Sequence, residues 1–211
     1  MPTVRIRNIL FDLGNVLVDL DMDLWTAEVL EFFDVSAMEE LPPILFEKIH
    51  EYERGEISTS LFINHMLRNS PRDRQALDAI TCWNSMLLGI RYHRLDVLAA
   101  LTQKYKLYVL SNTNALHIEW IDKYLMKRLK FPAFYGLFEE IYLSHEIKKN
   151  KPGKDSFQFV IDDSGIRPEE TLYLDDRQEN LDVAAALGFH SVFVPPTKEV
   201  TELLDELGLL T

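Results

Sequence analysis

The sequence predicts a doubly wound α/β core, built on a parallel sheet, with a four-helix domain inserted after its first strand. Three observations carry that prediction. A short apolar run, Asn8-Ile9-Leu10-Phe11, ends on Asp12, with a glycine two residues later that lets the backbone turn and approach a ligand closely. Residues 17 to about 89 then read as consecutive helices with no convincing strand. From Arg91 onward strand and helix patterns alternate, the rhythm of parallel strands joined by helical crossovers. The resulting boundaries are a core of residues 1–16 and 90–211 and a helical domain of residues 17–89.

Each element has its own signal. Asp21 or Asp23 can cap a helix that carries Leu24, Ala27, Leu30 and Phe33 at helical spacing. Pro42-Pro43 open a second helix through Ile44, Leu45, Ile49 and Tyr52, ending near Gly55. Ser58 caps a third through Leu61, Phe62, His65 and Met66. Ser70-Pro71-Arg72-Asp73 resembles a capping box with proline at the first helical position, leading into Leu77, Ile80, Trp83 and Leu87. In the second half, strands are expected at 107–110, 140–143, 171–174 and 191–194. The helices between them run through Leu95–Leu101, Leu116–Tyr124, Phe157–Ile161 and Leu181–Leu187, and Thr197 is expected to cap a last one.

Composition narrows the function. The 211 residues are 47% hydrophobic and 27% charged, which fits a globular protein. Apolar runs stop well short of the ~18 residues a membrane span needs. The opening Met-Pro-Thr-Val-Arg-Ile-Arg lacks the apolar region of a signal peptide, and a single cysteine, Cys82, excludes an internal disulfide and cysteine-based zinc sites. A reducing cytoplasm is the expected location. The net charge of −12 repels phosphate backbones, so nucleic acid is not an expected partner, and no obligate protein partner is evident. A small anionic substrate remains compatible with this charge if cations gather where it binds.

Ligands of open parallel sheets bind at the carboxyl ends of the strands. There the first strand places Asp12, the second Ser111-Asn112-Thr113-Asn114 at a helix start, where hydroxyls, amides and N–H groups suit an anion. The third is followed by Lys148-Lys149-Asn150-Lys151-Pro152, and the fourth ends in Asp175-Asp176, with Asn180 in the next helix. A carboxylate nucleophile, an anion site, a lysine and a second carboxylate pair suit phosphoryl transfer assisted by Mg²⁺, which takes hard oxygen ligands.

In kind and in order, these four motifs resemble those of the haloacid dehalogenase superfamily over the whole chain, with its Rossmann-like core. The helical insert is similar to the cap of one subgroup. Asp-Leu-Gly-Asn-Val at 12–16 and Ser-Asn-Thr-Asn at 111–114 resemble the bacterial glucose-1-phosphate phosphatase branch. The resemblance implies a Mg²⁺-dependent phosphatase of a small phosphorylated metabolite, in which Asp12 attacks phosphorus to form an aspartyl-phosphate. It further implies that Ser111 and Asn112 hold phosphate oxygens and that Lys151 bridges phosphate and Asp12. Asp176 would join Asp12 and the Gly14 carbonyl around Mg²⁺, with Asp175 orienting or assisting.

One position departs from the family pattern. Most family phosphatases carry a second aspartate two residues after the nucleophile, as general acid and base; here that position is Gly14. General acid–base help is worth about 10²–10⁴-fold in rate. Asp19 and His117 are the expected substitutes. The same departure keeps two alternatives open: a metal-independent 2-haloacid dehalogenase, and a weakly active phosphoryl-binding or regulatory protein. Arg54, in the turn Glu53-Arg54-Gly55-Glu56, reads as a turn residue or as a contact reaching over the site.

Overall fold

The computed structural model describes residues 5–210, so the Met-Pro-Thr-Val part of the expected leaderless start lies outside the described residues. In chain order, strand β1 (Asn8–Phe11) and strand β2 (Asp19–Leu20) lead into helices α1 (Met22–Phe33), α2 (Pro43–Glu53), α3 (Thr59–Asn69) and α4 (Ala76–Asn84). After β3 (Leu87–Gly89) come α5 (Tyr92–Leu101), β4 (Lys106–Ser111), α6 (Ala115–Tyr124), β5 (Glu140–Leu143), α7 (Ser144–Ile147) and α8 (Lys154–Ser164). The chain then forms β6 (Thr171–Asp175), α9 (Gln178–Ala186), β7 (His190–Phe193) and α10 (Val200–Glu206).

Five strands pair in parallel in the order β5–β4–β1–β6–β7, so the chain builds outward from β1 first on one side and then on the other. The sheet is covered on both faces, which is why its inner strands read as continuous apolar runs. Alternation sorts their side chains into two cores. Ile9, Phe11, Leu107, Val109, Leu172 and Leu174 join the cluster that includes Leu95, Leu98 and Leu204. Leu10, Tyr108, Leu110 and Tyr173 join Phe157, Val160, Leu181 and Ala184 on the other face. A third cluster belongs to α1–α4, with Phe32, Tyr52, Phe62 and Trp83 at its centre and Leu116 of α6 added from the core. Among the described residues no helix is long and apolar enough to cross a membrane.

Three local expectations are corrected. Residues 17–89 do contain strand: β2 and β3 pair antiparallel where the chain enters and leaves the helical segment. Strands of two and three residues are too short to show any alternation. Ser70 does not cap α4; it ends α3, its hydroxyl donating to the Phe32 carbonyl at 3.0 Å. The capping box of α4 lies further on, where the Gln75 N–H donates to the Asp78 carboxylate at 2.7 Å. The last helix starts at Val200 after Glu199 instead of at Thr197, and the Glu199 side chain serves Arg94 and not the helix N-terminus.

Candidate active site

The register of the sheet brings the acids together. Phe11 pairs with Leu174, so the next residues, Asp12 and Asp175, leave adjacent parallel strands side by side. The Asp12 N–H still donates to the Leu174 carbonyl at 2.9 Å, so the nucleophile candidate is held in strand geometry. Two like charges at this spacing need a cation, and Lys151 provides it. Its Nζ lies 2.8 Å from Asp12 Oδ1 and 2.7 Å from Asp175 Oδ2, with all three side chains buried. Lys151 comes from the segment between α7 and α8, and Asn112 fixes it there. The Asn112 amide donates to the Lys151 carbonyl and accepts from its N–H, both at 2.8 Å. Both ends of the Asn112 side chain are therefore engaged in placing the lysine.

The three aspartates differ sharply in how they are served. Asp175 accepts from Lys151, the Tyr173 hydroxyl, the Arg177 N–H at 2.8 Å and the Asn180 amide at 3.0 Å. Burial works against its ionisation, but these donors outweigh burial and hold its carboxyl below the ordinary range. With its lone pairs taken, Asp175 is an anchor for Lys151. Asp12 accepts from Lys151 and from the Leu13 N–H at 2.7 Å. Burial outweighs that help and pushes its carboxyl up to about 6. Asp176 is half-buried and accepts from Asn15 Nδ2 at 2.8 Å, and burial raises its carboxyl too. Carboxylate oxygens of Asp12, Asp175 and Asp176 lie within 4.8 Å of one another. Hard oxygen donors with surplus negative charge suit a divalent cation such as Mg²⁺.

Asn15, in the first motif, anchors Asp176. It takes a left-handed backbone at φ 54°, a conformation asparagine tolerates better than most residues, and so turns its amide toward Asp176.

Beside the acids opens a cavity of about 270 Å³, bounded by Gly14 and the Ser111–Thr113 segment on the core side. Trp25 and Trp83 form part of its helical wall. Ser111 is buried at the end of β4 and faces this cavity. Asn114 caps α6 by accepting the His117 N–H at 3.1 Å.

The two expected substitute acids are bonded to other groups. Asp19 sits on β2 and accepts from Arg91 and Arg94, each at 2.7 Å. His117 reaches the cavity wall, but its Nε2 lies 3.3 Å from the Trp83 carbonyl, which can only accept, and its Nδ1 faces the Asn114 amide at 3.2 Å. Burial pushes this imidazole down to about 4, so it is neutral at pH 7. Arg54 turns away to pair with Glu56 at 2.7 Å, while its neighbour Glu53 lines the cavity. Helical phase explains the exchange: Leu45, Ile49, Tyr52 and Glu53 share one face of α2. That spacing was visible in the sequence.

The match to known proteins follows this architecture. Residues 9–194 fit the model of the haloacid dehalogenase-like hydrolases. The chain belongs to this family. Among haloacid dehalogenase-like hydrolases it is similar to D-ribitol-5-phosphate phosphatase of Bacteroides thetaiotaomicron, at 28% identity over 88% of this chain and 90% of the relative. A solved HAD family enzyme of Bacteroides thetaiotaomicron superposes with a TM-score of 0.85 at 31% identity, covering 95% of this chain and 98% of the other. The same enzyme has been crystallised with magnesium and inorganic phosphate, and that structure superposes at 0.82, with 32% identity over 94% and 98%. A dehalogenase at 18% identity, over 97% of this chain and 98% of its own, shares the fold with a TM-score of 0.63.

Proposed function

We propose that this hydrolase is a Mg²⁺-dependent phosphatase of a small polyol or sugar phosphate, acting through an aspartyl-phosphate on Asp12. The observation that carries the reading is the arrangement of Asp12 at the end of the central strand. Lys151 is fixed to it from one side, and the other carboxylates leave a negative surplus. Asp12, the Gly14 carbonyl and Asp176 are the residues that would hold Mg²⁺, and Asp175 would keep Lys151 in place. Bound there, the metal supplies charge neutralisation that lets a phosphate dianion approach a carboxylate.

The remaining steps belong to the chain. Lys151 shares its charge between Asp12 and an incoming phosphate oxygen, which favours in-line attack by the free Asp12 oxygen. Ser111 offers its hydroxyl to a second phosphate oxygen. Because the Asn112 amide is occupied by Lys151, any contact from that residue falls to its backbone N–H. Residues 17–89 act as a cap whose aromatic wall closes over the leaving group. The cavity is slightly smaller than the ~300–1,000 Å³ usual for drug-sized ligands, which suits a short metabolite. The relative named for D-ribitol 5-phosphate points to open-chain polyol phosphates as the first substrates to try.

The test is phosphate release from p-nitrophenyl phosphate and from a panel of pentitol and sugar phosphates, with Mg²⁺ and with EDTA. Release that needs Mg²⁺ is expected. Metal-independent halide release from a 2-haloacid would replace this reading with the dehalogenase. Protection from thermal unfolding by inorganic phosphate, with no turnover of any ester, would replace it with the phosphoryl-binding protein.

A further inference from the structure

The phosphatase reading leaves a proton unaccounted for. An alkyl phosphate releases an alkoxide, which needs an acid, and position 14 has none. A side chain there would also have to displace the end of Leu20: a Cβ on Gly14 would lie 2.9 Å from its Cδ1, and Leu20 forms part of the cavity wall. Asp19 is held by Arg91 and Arg94, and His117 is neutral with both ring nitrogens engaged.

We propose that Glu53, delivered by the C-terminal turn of α2, is the proton donor to the leaving oxygen. Among the described residues that line the cavity it carries the only carboxyl group. Its main chain is docked on the phosphate side of the site. The Ser144 hydroxyl lies 2.6 Å from the Glu53 carbonyl and also bonds the Thr113 backbone, with the Thr113 N–H donating to it at 2.9 Å. One buried side chain thus fixes Glu53 relative to the Ser111–Thr113 segment. The following turn docks as closely. A Cβ on Gly55, at φ +62°, would lie 1.9 Å from the His145 carbonyl oxygen, and Lys148 donates to the Gly55 carbonyl at 3.1 Å. Within 4 Å the Glu53 carboxylate meets His50 Nδ1, at 3.8 Å on the same helix, a pair that is ionic only when the imidazole carries a second proton. Burial raises the carboxyl above its ordinary range, against the pull of His50 and Arg177, which is the direction a proton donor requires.

The steps balance. In the first, an Asp12 oxygen bonds to phosphorus and the bond from phosphorus to the ester oxygen breaks, its electron pair staying on that oxygen. The Glu53 proton passes to it, leaving an alcohol, an aspartyl-phosphate and the Glu53 carboxylate. In the second, that carboxylate takes a proton from a water whose oxygen attacks phosphorus. The bond from phosphorus to Asp12 breaks, and phosphate, the Asp12 carboxylate and protonated Glu53 are regenerated.

This inference rests on the phosphatase reading, and leaving-group dependence separates the two. Wild type and Glu53→Gln are compared on p-nitrophenyl phosphate, phenyl phosphate and ribitol 5-phosphate, with thermal melts confirming that the variant folds. The expected loss in kcat/KM is about 10²–10⁴-fold on the phenyl and alkyl esters, and much less on p-nitrophenyl phosphate, whose leaving group departs without a proton. The variant should also show a burst of nitrophenol, because its second step lacks a base. Equal losses on all three esters, or none, overturn the proposal alone. Failure of the wild type to release phosphate from any ester overturns the phosphatase reading and this proposal together.

Discussion

Asp12 and Asp19 lie seven positions apart, and the two sit in charge clusters of opposite design. Around Asp12 the described residues set three carboxylates, Asp12, Asp175 and Asp176, against Lys151. Around Asp19 they set two carboxylates, Asp19 and Glu199, against Arg91 and Arg94, with His93 at 3.5 Å from Glu199. The second cluster is balanced and bidentate. Arg94 Nε and Nη2 donate to the two Glu199 oxygens at 2.6 and 2.9 Å, and Nη1 donates to the Leu17 carbonyl at 2.9 Å. Burial opposes the charge on Glu199, but the arginines outweigh it and hold its carboxyl low, whereas burial prevails at Asp12 and Asp176. A balanced cluster ties β2 to α5 and to the start of α10. The cluster around Asp12 keeps a surplus of negative charge.

The largest test of this contrast is Asp12→Asn. It removes the nucleophile, and phosphate release should fall on the order of 10⁴-fold or more. Stability should move the other way. The Asp12 carboxyl has a higher pKa folded than unfolded, so its contribution is fully present below about 3.8 and lost as pH rises through about 6. At pH 7.5 without metal the ionised group therefore works against the fold, and Asp12→Asn should be the more stable protein in urea unfolding. A variant that is both inactive and less stable would mean that Asp12 is a structural ion-pair partner, like Asp19.

Arg94→Met makes the matching cut in the balanced cluster. Removing one member of a buried pair leaves the other charges uncompensated, and the expected destabilisation is about 3–5 kcal/mol. Urea unfolding measures it directly. A loss below about 1 kcal/mol would show that Arg91 alone can serve both carboxylates and that the cluster is a surface one in energetic terms.

These two clusters were not equally legible in the sequence. The strands that lead to Asp12, Ser111 and Asp175 are four to six residues long, buried almost throughout and apolar in their middle, so their carboxyl ends could be read directly. The balanced cluster joins Asp19 to Glu199 through Arg94, and no local pattern reports that residues 180 positions apart share an arginine. The ribbon of β2 and β3 was hidden because it is shorter than one alternation. Within the candidate site, residue types suggested chemistry but not partners. The family resemblance implies that Asn112 is a phosphate ligand, and only the fold shows its amide closed on Lys151. Between Glu53 and Arg54 it is the helical phase of α2, and not the turn that follows, that decides which side chain faces inward.

A third kind of buried polar junction, carrying neither surplus nor balance, sharpens the comparison with a smaller effect. His117 is stacked on Trp83, with ring centroids 5.5 Å apart, where α6 meets α4, and it is held as a neutral ring. Its pKa falls from about 6.5 unfolded to about 4 folded, chiefly through burial, against the Trp83 carbonyl that favours its proton. Between those values the unfolded chain binds a proton that the folded one does not. Stability from this group is therefore complete above about pH 6.5 and is lost as pH falls toward about 4, by about 3 kcal/mol in all. Comparing wild type with His117→Gln in urea at pH 7.5 and at pH 4 isolates that contribution, because other titrations cancel in the difference. The advantage of the wild type should shrink by about 3 kcal/mol at the lower pH. A difference that stays constant with pH would mean that His117 can take a proton in place, and it would return this ring to contention as the acid that Gly14 lacks.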